Sequence, residues 1–203
     1  PKGRVHTCCC AVPGAWHVMG VTQGAGLSLK WFKDQFCQDY VAEAKKQGVD
    51  VYDLINRDIE KIPVGSDRLL YLPYLMGERT PHLDPDCRGV FFGLSAIHTK
   101  AHLLRAVMEG VSYSLADCNE ILKEMGVDVD QMMACGGGGK SPIWRQMLSD
   151  LYQCQVKTVY QSEGPALGVA ILAGVGCGIY ESVESACDRL IREDRVSQPS
   201  AED

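Results

Sequence analysis

The residues best suited to chemistry lie in one stretch, Gln131-Met-Met-Ala-Cys-Gly-Gly-Gly-Gly-Lys-Ser-Pro-Ile-Trp-Arg-Gln146. A short apolar strand leads into four glycines. Ser141 and Pro142 then supply an N-cap and a first-turn proline for a helix. Glycines between a strand end and a helix start let a ligand approach the backbone closely, and the helix end favours negative charge. The pattern points to a nucleotide contact, with an ordinary flexible turn as the alternative. Gly139-Lys140-Ser141 also ends like a P-loop, but the glycine that should open that pattern falls at Ala134. Without it the tight turn that wraps N–H groups around a phosphate is lost.

A second junction of the same kind is Gln23-Gly-Ala-Gly26. It precedes a helix on which Leu27, Trp31, Phe32 and Phe36 recur at helical spacing, with Lys30 one turn in. The loop Met76-Gly-Glu-Arg-Thr-Pro-His-Leu-Asp-Pro-Asp-Cys-Arg-Gly89 is charged, proline-rich and pinned between apolar runs, a setting that often carries function. Its alternative is that Glu78, Arg79, Asp84, Asp86 and Arg88 pair with one another to hold the loop together. His98 and His102 stand four apart, but no Glu follows His98 as a metalloprotease helix requires, so they read as surface histidines. The ten cysteines include no Cys-x-x-Cys pair and no zinc spacing. They read as reduced cytoplasmic thiols, and no metal site is expected.

Positioning these groups takes alternating strands and helices. Residues 5–12 and 16–22 read as a hairpin across Pro13-Gly14, with Cys8 to Cys10 well covered. Residues 39–62 read as one or two short charged helices in a surface insertion, 69–75 as a buried strand, and 89–94 as a short apolar strand. Lys100 to Gly126 is the longest helix. Leu104, Val107, Met108, Val111, Leu115, Cys118, Leu122 and Met125 form its apolar stripe, and Glu109 beside it is placed for a structural hydrogen bond. Then come a helix from Ser141 to Tyr152, a strand over 156–160, a small-residue helix from Gly164 through Gly178 and an amphipathic helix over 181–192. A frayed polar tail from Arg195 closes the chain. Antiparallel strands early and parallel ones later predict an α/β domain with a mixed sheet.

Composition excludes some classes. The 203 residues are 46% hydrophobic and 23% charged, ordinary for a globular chain with a proper core. A net charge of −6 with no Lys/Arg block argues against a nucleic-acid surface. No 18-residue apolar run and no secretion signal is visible, so no membrane partner is expected. The opening Pro1-Lys2-Gly3-Arg4, without an initiator Met, points to a piece of a longer protein.

Several motifs then fall into one order: Leu72-Pro-Tyr-Leu-Met-Gly-Glu-Arg-Thr-Pro-His82, Gly89-Val-Phe-Phe-Gly-Leu94, and His102 to Glu109. Cys135-Gly-Gly-Gly-Gly-Lys-Ser-Pro-Ile-Trp-Arg-Gln146 with Asp150, and Glu163-Gly-Pro-Ala-Leu-Gly-Val-Ala170, complete it. Over roughly residues 5–178 the chain resembles the C-terminal half of FGGY-type carbohydrate kinases, and within that family the xylulokinases. The resemblance implies a ribonuclease-H-like (actin-like ATPase) α/β domain with a mixed five-stranded sheet flanked by helices, the C-terminal half of a two-domain sugar kinase. Residues 1–195 would be the nucleotide-binding domain, lacking its first strand or strands, and 196–203 a polar tail.

The implied reaction moves the γ-phosphate of ATP to the terminal hydroxyl of a pentulose, turning D-xylulose into D-xylulose 5-phosphate. Mg²⁺ neutralises the phosphates and a carboxylate serves as general base. Family kinases for ribulose, gluconate or glycerol, and a non-catalytic actin-like module, are the alternatives. By the same resemblance, Gly136, Gly137, Gly138 and Ser141 form the adenosine shelf, and Gly26 and Lys30 are nucleotide contacts from the other junction. Glu78 and Arg79 match a cleft-lining or structural motif, and Lys140 receives no phosphate role. The family's catalytic Asp, its Gly-Thr phosphate loop and its sugar-binding N-terminal domain precede the start of this chain. No catalytic residue is therefore expected here, and the chain alone should be inactive. The expected partner is the sugar, bound with the missing N-terminal domain; a homodimer is allowed, and the location is cytoplasmic.

Overall fold

The computed structural model describes residues 3–160 and 164–200; Pro1, Lys2, the motif residue Glu163 and residues 201–203 lie outside the described residues. In chain order the elements are β1 (His6–Cys9), β2 (Trp16–Met19), α1 (Ala25–Phe36), α2 (Gln38–Gln47), α3 (Val51–Ile59), β3 (Leu70–Leu72), β4 (Val90–Phe92) and α4 (Lys100–Glu124). They continue with β5 (Gln131–Met133), α5 (Gly136–Lys140), α6 (Pro142–Tyr152), β6 (Gln155–Val159), α7 (Gly164–Gly176), α8 (Val183–Leu190) and β7 (Glu193–Ser197). The chain divides into two compact units, Gly20–Asp128 with residues 3–6, and Thr7–Met19 with Val129–Ser200.

The first unit is built on α4. Thr99 and His102 form a capping box at its start, and Leu104, Val107, Met108 and Val111 are almost wholly buried along its stripe. Strand β3 lies against this helix at Gly110, where a Cβ would come within 2.0 Å of the Tyr71 carbonyl oxygen. β3 pairs antiparallel with β4, Leu70 opposite Phe92 and Leu72 opposite Val90. Because side chains alternate across a strand, Tyr71 is buried while Leu70 and Leu72 are exposed. The strand expected to be buried is therefore buried on one face only.

The charged segment after α1 is likewise more than a surface insertion. Ile55 and Ile59 of α3 have no exposed surface, and burying each such side chain contributes about 1.5–3 kcal/mol. Glu109 accepts hydrogen bonds from Gly65 N–H (3.0 Å), Ser66 Oγ (2.7 Å) and Arg105 Nε (2.7 Å). Arg105 also donates to the Ile62 carbonyl at 2.7 Å. This buried clasp holds Ser66, Asp67 and Arg68, all three in the left-handed region that side chains disfavour.

In the second unit β5 and β6 run parallel and β7 adds antiparallel to β6. The polar tail expected from Arg195 is thus a strand through Ser197, and Ser200 N–H still reaches Asp150 Oδ1 at 2.7 Å. β1 and β2 form the expected hairpin, closed by Cys10 N–H donating to Ala15 O at 2.9 Å. Its cysteines are not well covered: Cys9 is exposed and Cys8 and Cys10 are half-buried. Among the described residues the sheets have two, two and three strands, so the mixed sheet is three-stranded where five were expected. β3 and β4 form a two-stranded sheet of their own, with β3 packed on α4. Among the described residues no helix is long and apolar enough to cross a membrane.

Candidate functional site

The parallel strands β5 and β6 end side by side, and the loops that follow them border a cleft of about 490 Å³. A crevice beyond the carboxyl ends of parallel strands is where open α/β sheets bind ligands. On one side lie Cys135, Gly136, Gly137, Gly139 and Lys140; on the other, Thr158, Val159, Tyr160 and Gly164; Arg145 and, from β7, Asp194 and Arg195 complete the lining.

The four glycines have separate reasons to be there. The glycines form α5, a single helical turn; Gly136 opens it at φ +74°, and a Cβ on Gly139 would fall 2.7 Å from the Ala134 carbonyl oxygen. These two are required by the chain itself. Gly137 faces open space and lines the cleft, whereas Gly138 faces the Trp144 ring, 3.5 Å from where its Cβ would be. Ser141 is the expected N-cap: its Oγ accepts from Trp144 N–H at 3.2 Å, with Pro142 in the first turn of α6. Of the predicted shelf, Gly136 and Gly137 therefore line the cleft, Gly138 backs onto α6, and Ser141 fixes that helix.

Behind the turn stands Arg145, 5% exposed. Its Nη1 donates to Gly139 O (2.6 Å) and Lys140 O (3.0 Å), while its buried Nε has no partner. Burial, and after it the charge of Arg195, push its pKa below the usual guanidinium value. Thr158 Oγ1 accepts from Arg195 N–H at 3.2 Å, and Arg195 Nε lies 3.6 Å from Asp194 Oδ2. Sequence reasoning missed Arg145, Thr158, Tyr160, Asp194 and Arg195 as lining residues. Arg145 stood inside a quoted motif but carried no signal of its burial, and Arg195 looked like tail.

The other candidates belong to the first unit. Gly26 is exposed on α1, and Lys30 is paired with Asp34. Glu78 is buried and accepts from Thr22 Oγ1 (2.7 Å), Gln23 N–H (2.9 Å) and Arg79 N–H (2.7 Å). It thereby fixes the segment that enters α1. Among the described residues Glu78, Arg79, Asp84, Asp86 and Arg88 form no ion pair with one another, contrary to the mutual-pairing alternative. Backbone groups take their place. Asp84 Oδ1 accepts from Asp86 and Cys87 N–H at 2.8 and 3.2 Å, and Arg88 donates to Pro85 and Cys87 carbonyls at 2.9 and 2.7 Å. Arg79 is exposed. His98 and His102 are held by the backbone N–H groups of Ser95 and Thr99 and by Asp67. The cysteines are free thiols, and burial, with the charge of Glu78 after it, pushes that of Cys118 up to about 12. Among the described residues no three His, Cys, Asp or Glu side chains group closely enough to hold a metal ion.

A family profile described as the FGGY family of carbohydrate kinases, C-terminal domain, matches residues 2–177. Over 201 residues the chain is 40% identical to a xylulose kinase of Bacillus subtilis, covering 99% of this chain and 38% of that one. Over 190 residues it is 36% identical to a gluconokinase of the same organism, covering 93% and 37% respectively. Among solved structures it is similar to a ligand-bound xylulose kinase from Lactobacillus acidophilus, with a TM-score of 0.82 and 26% identity over 98% of this chain and 38% of that one. The chain thus spans 38% of the length of the Bacillus subtilis xylulose kinase, and the likeness to solved sugar kinases bears out the actin-like ATPase fold. The chain belongs to the FGGY family of carbohydrate kinases, whose C-terminal domain it carries.

Proposed function

We propose that this chain is the ATP-binding part of a carbohydrate kinase that converts D-xylulose to D-xylulose 5-phosphate. The observation that carries the reading is the cleft beyond β5 and β6, lined by Gly136 and Gly137, in a chain 40% identical to a xylulose kinase. An adenosine would lie against that turn, where Gly137 leaves the backbone uncovered. Gly138 and Ser141 support the turn through Trp144 and the start of α6. Gly26 and Lys30 on α1 are proposed as further nucleotide contacts, and Glu78 as the group that holds the entry to α1. The 36% identity to a gluconokinase supports gluconate as a second acceptor reading.

In the proposed reaction the sugar hydroxyl oxygen bonds to the γ-phosphorus while the bond from that phosphorus to the β–γ bridging oxygen breaks. ADP leaves, and the hydroxyl proton passes to a carboxylate base. None of the carboxylates here matches that base, so the base and the sugar site are assigned to protein outside this chain. The described residues offer no metal cage. Mg²⁺ would arrive with the nucleotide, since Mg²⁺ is usually held by substrate phosphates, waters and one or two carboxylates. The reading places the protein in the cytoplasm.

Calorimetric titration of the chain with ADP tests the nucleotide reading. Binding in the range of about 0.1–1 mM is expected, and no heat at about ten times that concentration would overturn it. The acceptor is tested by assaying the protein that carries this domain with D-xylulose, gluconate, ribulose and glycerol. D-Xylulose should give the highest kcat/KM.

A further inference from the structure

The cleft beyond β5 and β6 is cationic in a chain that is anionic. Lys140, Arg145 and Arg195 line it against one carboxylate among the described residues, Asp194, a formal net of +2 where the whole chain carries −6. Arg145 makes this more than a surface accident. It is 5% exposed, and among the described residues no carboxylate stands within ion-pair distance of it. Its Nη1 is bound to the carbonyls of Gly139 and Lys140, and its Nε has no partner. Asp194, on the same lining, offsets part of this charge from beyond contact; a buried guanidinium with no carboxylate in contact is costly, and the cost falls when an anion arrives beside it. The two carbonyl bonds fix this charge directly behind the glycine turn. Arg195 adds a second charge from β7; its side chain is 59% exposed, and its contact with Asp194 is a long 3.6 Å. Lys140 is exposed at the end of the same turn.

We propose that Lys140, Arg145 and Arg195 form an anion-holding wall, so that the cleft takes a phosphorylated nucleoside and discriminates against the neutral nucleoside. This rests on the nucleotide reading of the same cleft and adds phosphate recognition to it. It also gives Lys140 the role that family likeness withheld. Charge-assisted hydrogen bonds from lysine and arginine are the strong class of phosphate contact, and attraction to an exposed cation weakens as salt rises.

The test is calorimetric titration of the 203-residue chain with ADP, adenosine and inorganic pyrophosphate, at about 20 and 200 mM salt. ADP should bind at least about tenfold more tightly than adenosine, and the margin should shrink at the higher salt. Pyrophosphate should compete with ADP. Arg145 tethers the glycine turn, so its replacement would disturb the fold; the exposed Arg195 and Lys140 carry the test. Arg195→Gln should weaken ADP and pyrophosphate about five- to tenfold and adenosine less than twofold. Arg195→Lys should recover most of the loss, and Lys140→Gln should act in the same direction. Unchanged circular dichroism and melting would show that these variants fold. Equal affinity for ADP and adenosine, or equal weakening of both by Arg195→Gln, overturns the wall and leaves the nucleotide reading standing. Pyrophosphate binding that needs Arg195, with neither adenosine nor ADP adding to it, upholds the wall and removes the nucleotide.

Discussion

At residues 20–30 and again at residues 131–145 the chain passes from an extended segment through glycines into a helix, and the two passages are built to different ends. In the first, a Cβ on Gly24 would lie 1.8 Å from the carbonyl oxygen of Pro73. Ser28 Oγ donates back to Gly24 O, and the buried Glu78 carboxylate grips Thr22 and Gln23 from below the turn. In the second, Gly137 has nothing within 4 Å of where its Cβ would be, and the turn borders a cleft of about 490 Å³. The polar groups differ in the same sense. Glu78 accepts three hydrogen bonds, whereas Arg145 keeps a buried Nε unpartnered. Glycine content alone does not separate a packed joint from a binding turn. What separates Gly24 from Gly137 is whether a backbone oxygen or empty space stands where the Cβ would go.

Substitution at the closed junction should have the largest effect. Gly24→Ala puts a methyl into the Pro73 carbonyl, and backbone cannot swing aside as a flexible side chain can. A stability loss of about 3 kcal/mol is expected, read from the urea midpoint at unchanged slope. A loss under about 1 kcal/mol would mean that the entry to α1 moves away from Pro73 at little cost, and the contrast between the junctions would collapse. Glu78→Ala comes next, because it strands Thr22 Oγ1 and two backbone N–H groups. About 2–3 kcal/mol should be lost, with Glu78→Gln losing less since its amide oxygen still accepts. Equal melting temperatures for the alanine variant and the parent would show that the clasp holds nothing.

The open junction should respond in the other way. Gly137→Val extends into the cleft without meeting protein, so stability should stay within about 1 kcal/mol of the parent. The calorimetric signal for ADP should vanish. If ADP binding survives a valine there, the nucleotide does not lie on the turn and the cleft loses its assignment.

The sequence made one half of this contrast visible and hid the other. Local rules marked Ser141 as a cap, Pro142 as its successor and α4 as the spine of a core, because caps and helical stripes are written within a few neighbouring residues. Glu109 was legible for the same reason: one residue off an apolar stripe, a carboxylate needs partners, and Gly65, Ser66 and Arg105 supply them. Arg195 was not legible. Glu193–Ser197 is charged and nearly without apolar residues, so nothing in it signals a strand; its place comes from the ladder that β6 offers. The charged loop misled for a related reason. Opposite charges close in sequence invite pairing, but Asp84 and Arg88 find backbone partners at shorter reach. The twinned glycine motifs were read alike because the carbonyl that seals Gly24 belongs to Pro73, far along the chain.

The smallest effect belongs to Lys30, the cation of the closed junction. Its ammonium, and after it that of Lys33, donates to the Asp34 carboxylate and holds that carboxyl below its usual pKa. A carboxyl depressed on folding stabilises the fold above its unfolded titration near pH 4, and the contribution is lost as the pH falls through the lower folded value. Lys30→Met removes the first of the two donors. The melting temperature should drop by about 1 °C or less at neutral pH, since exposed pairs contribute little. The gap between variant and parent should close as the pH falls through the carboxylate range. ADP affinity is the sharper readout. A contact from Lys30 to the nucleotide predicts binding about threefold weaker in the variant. Unchanged binding would leave Lys30 to Asp34 alone and make the first junction a joint and nothing more.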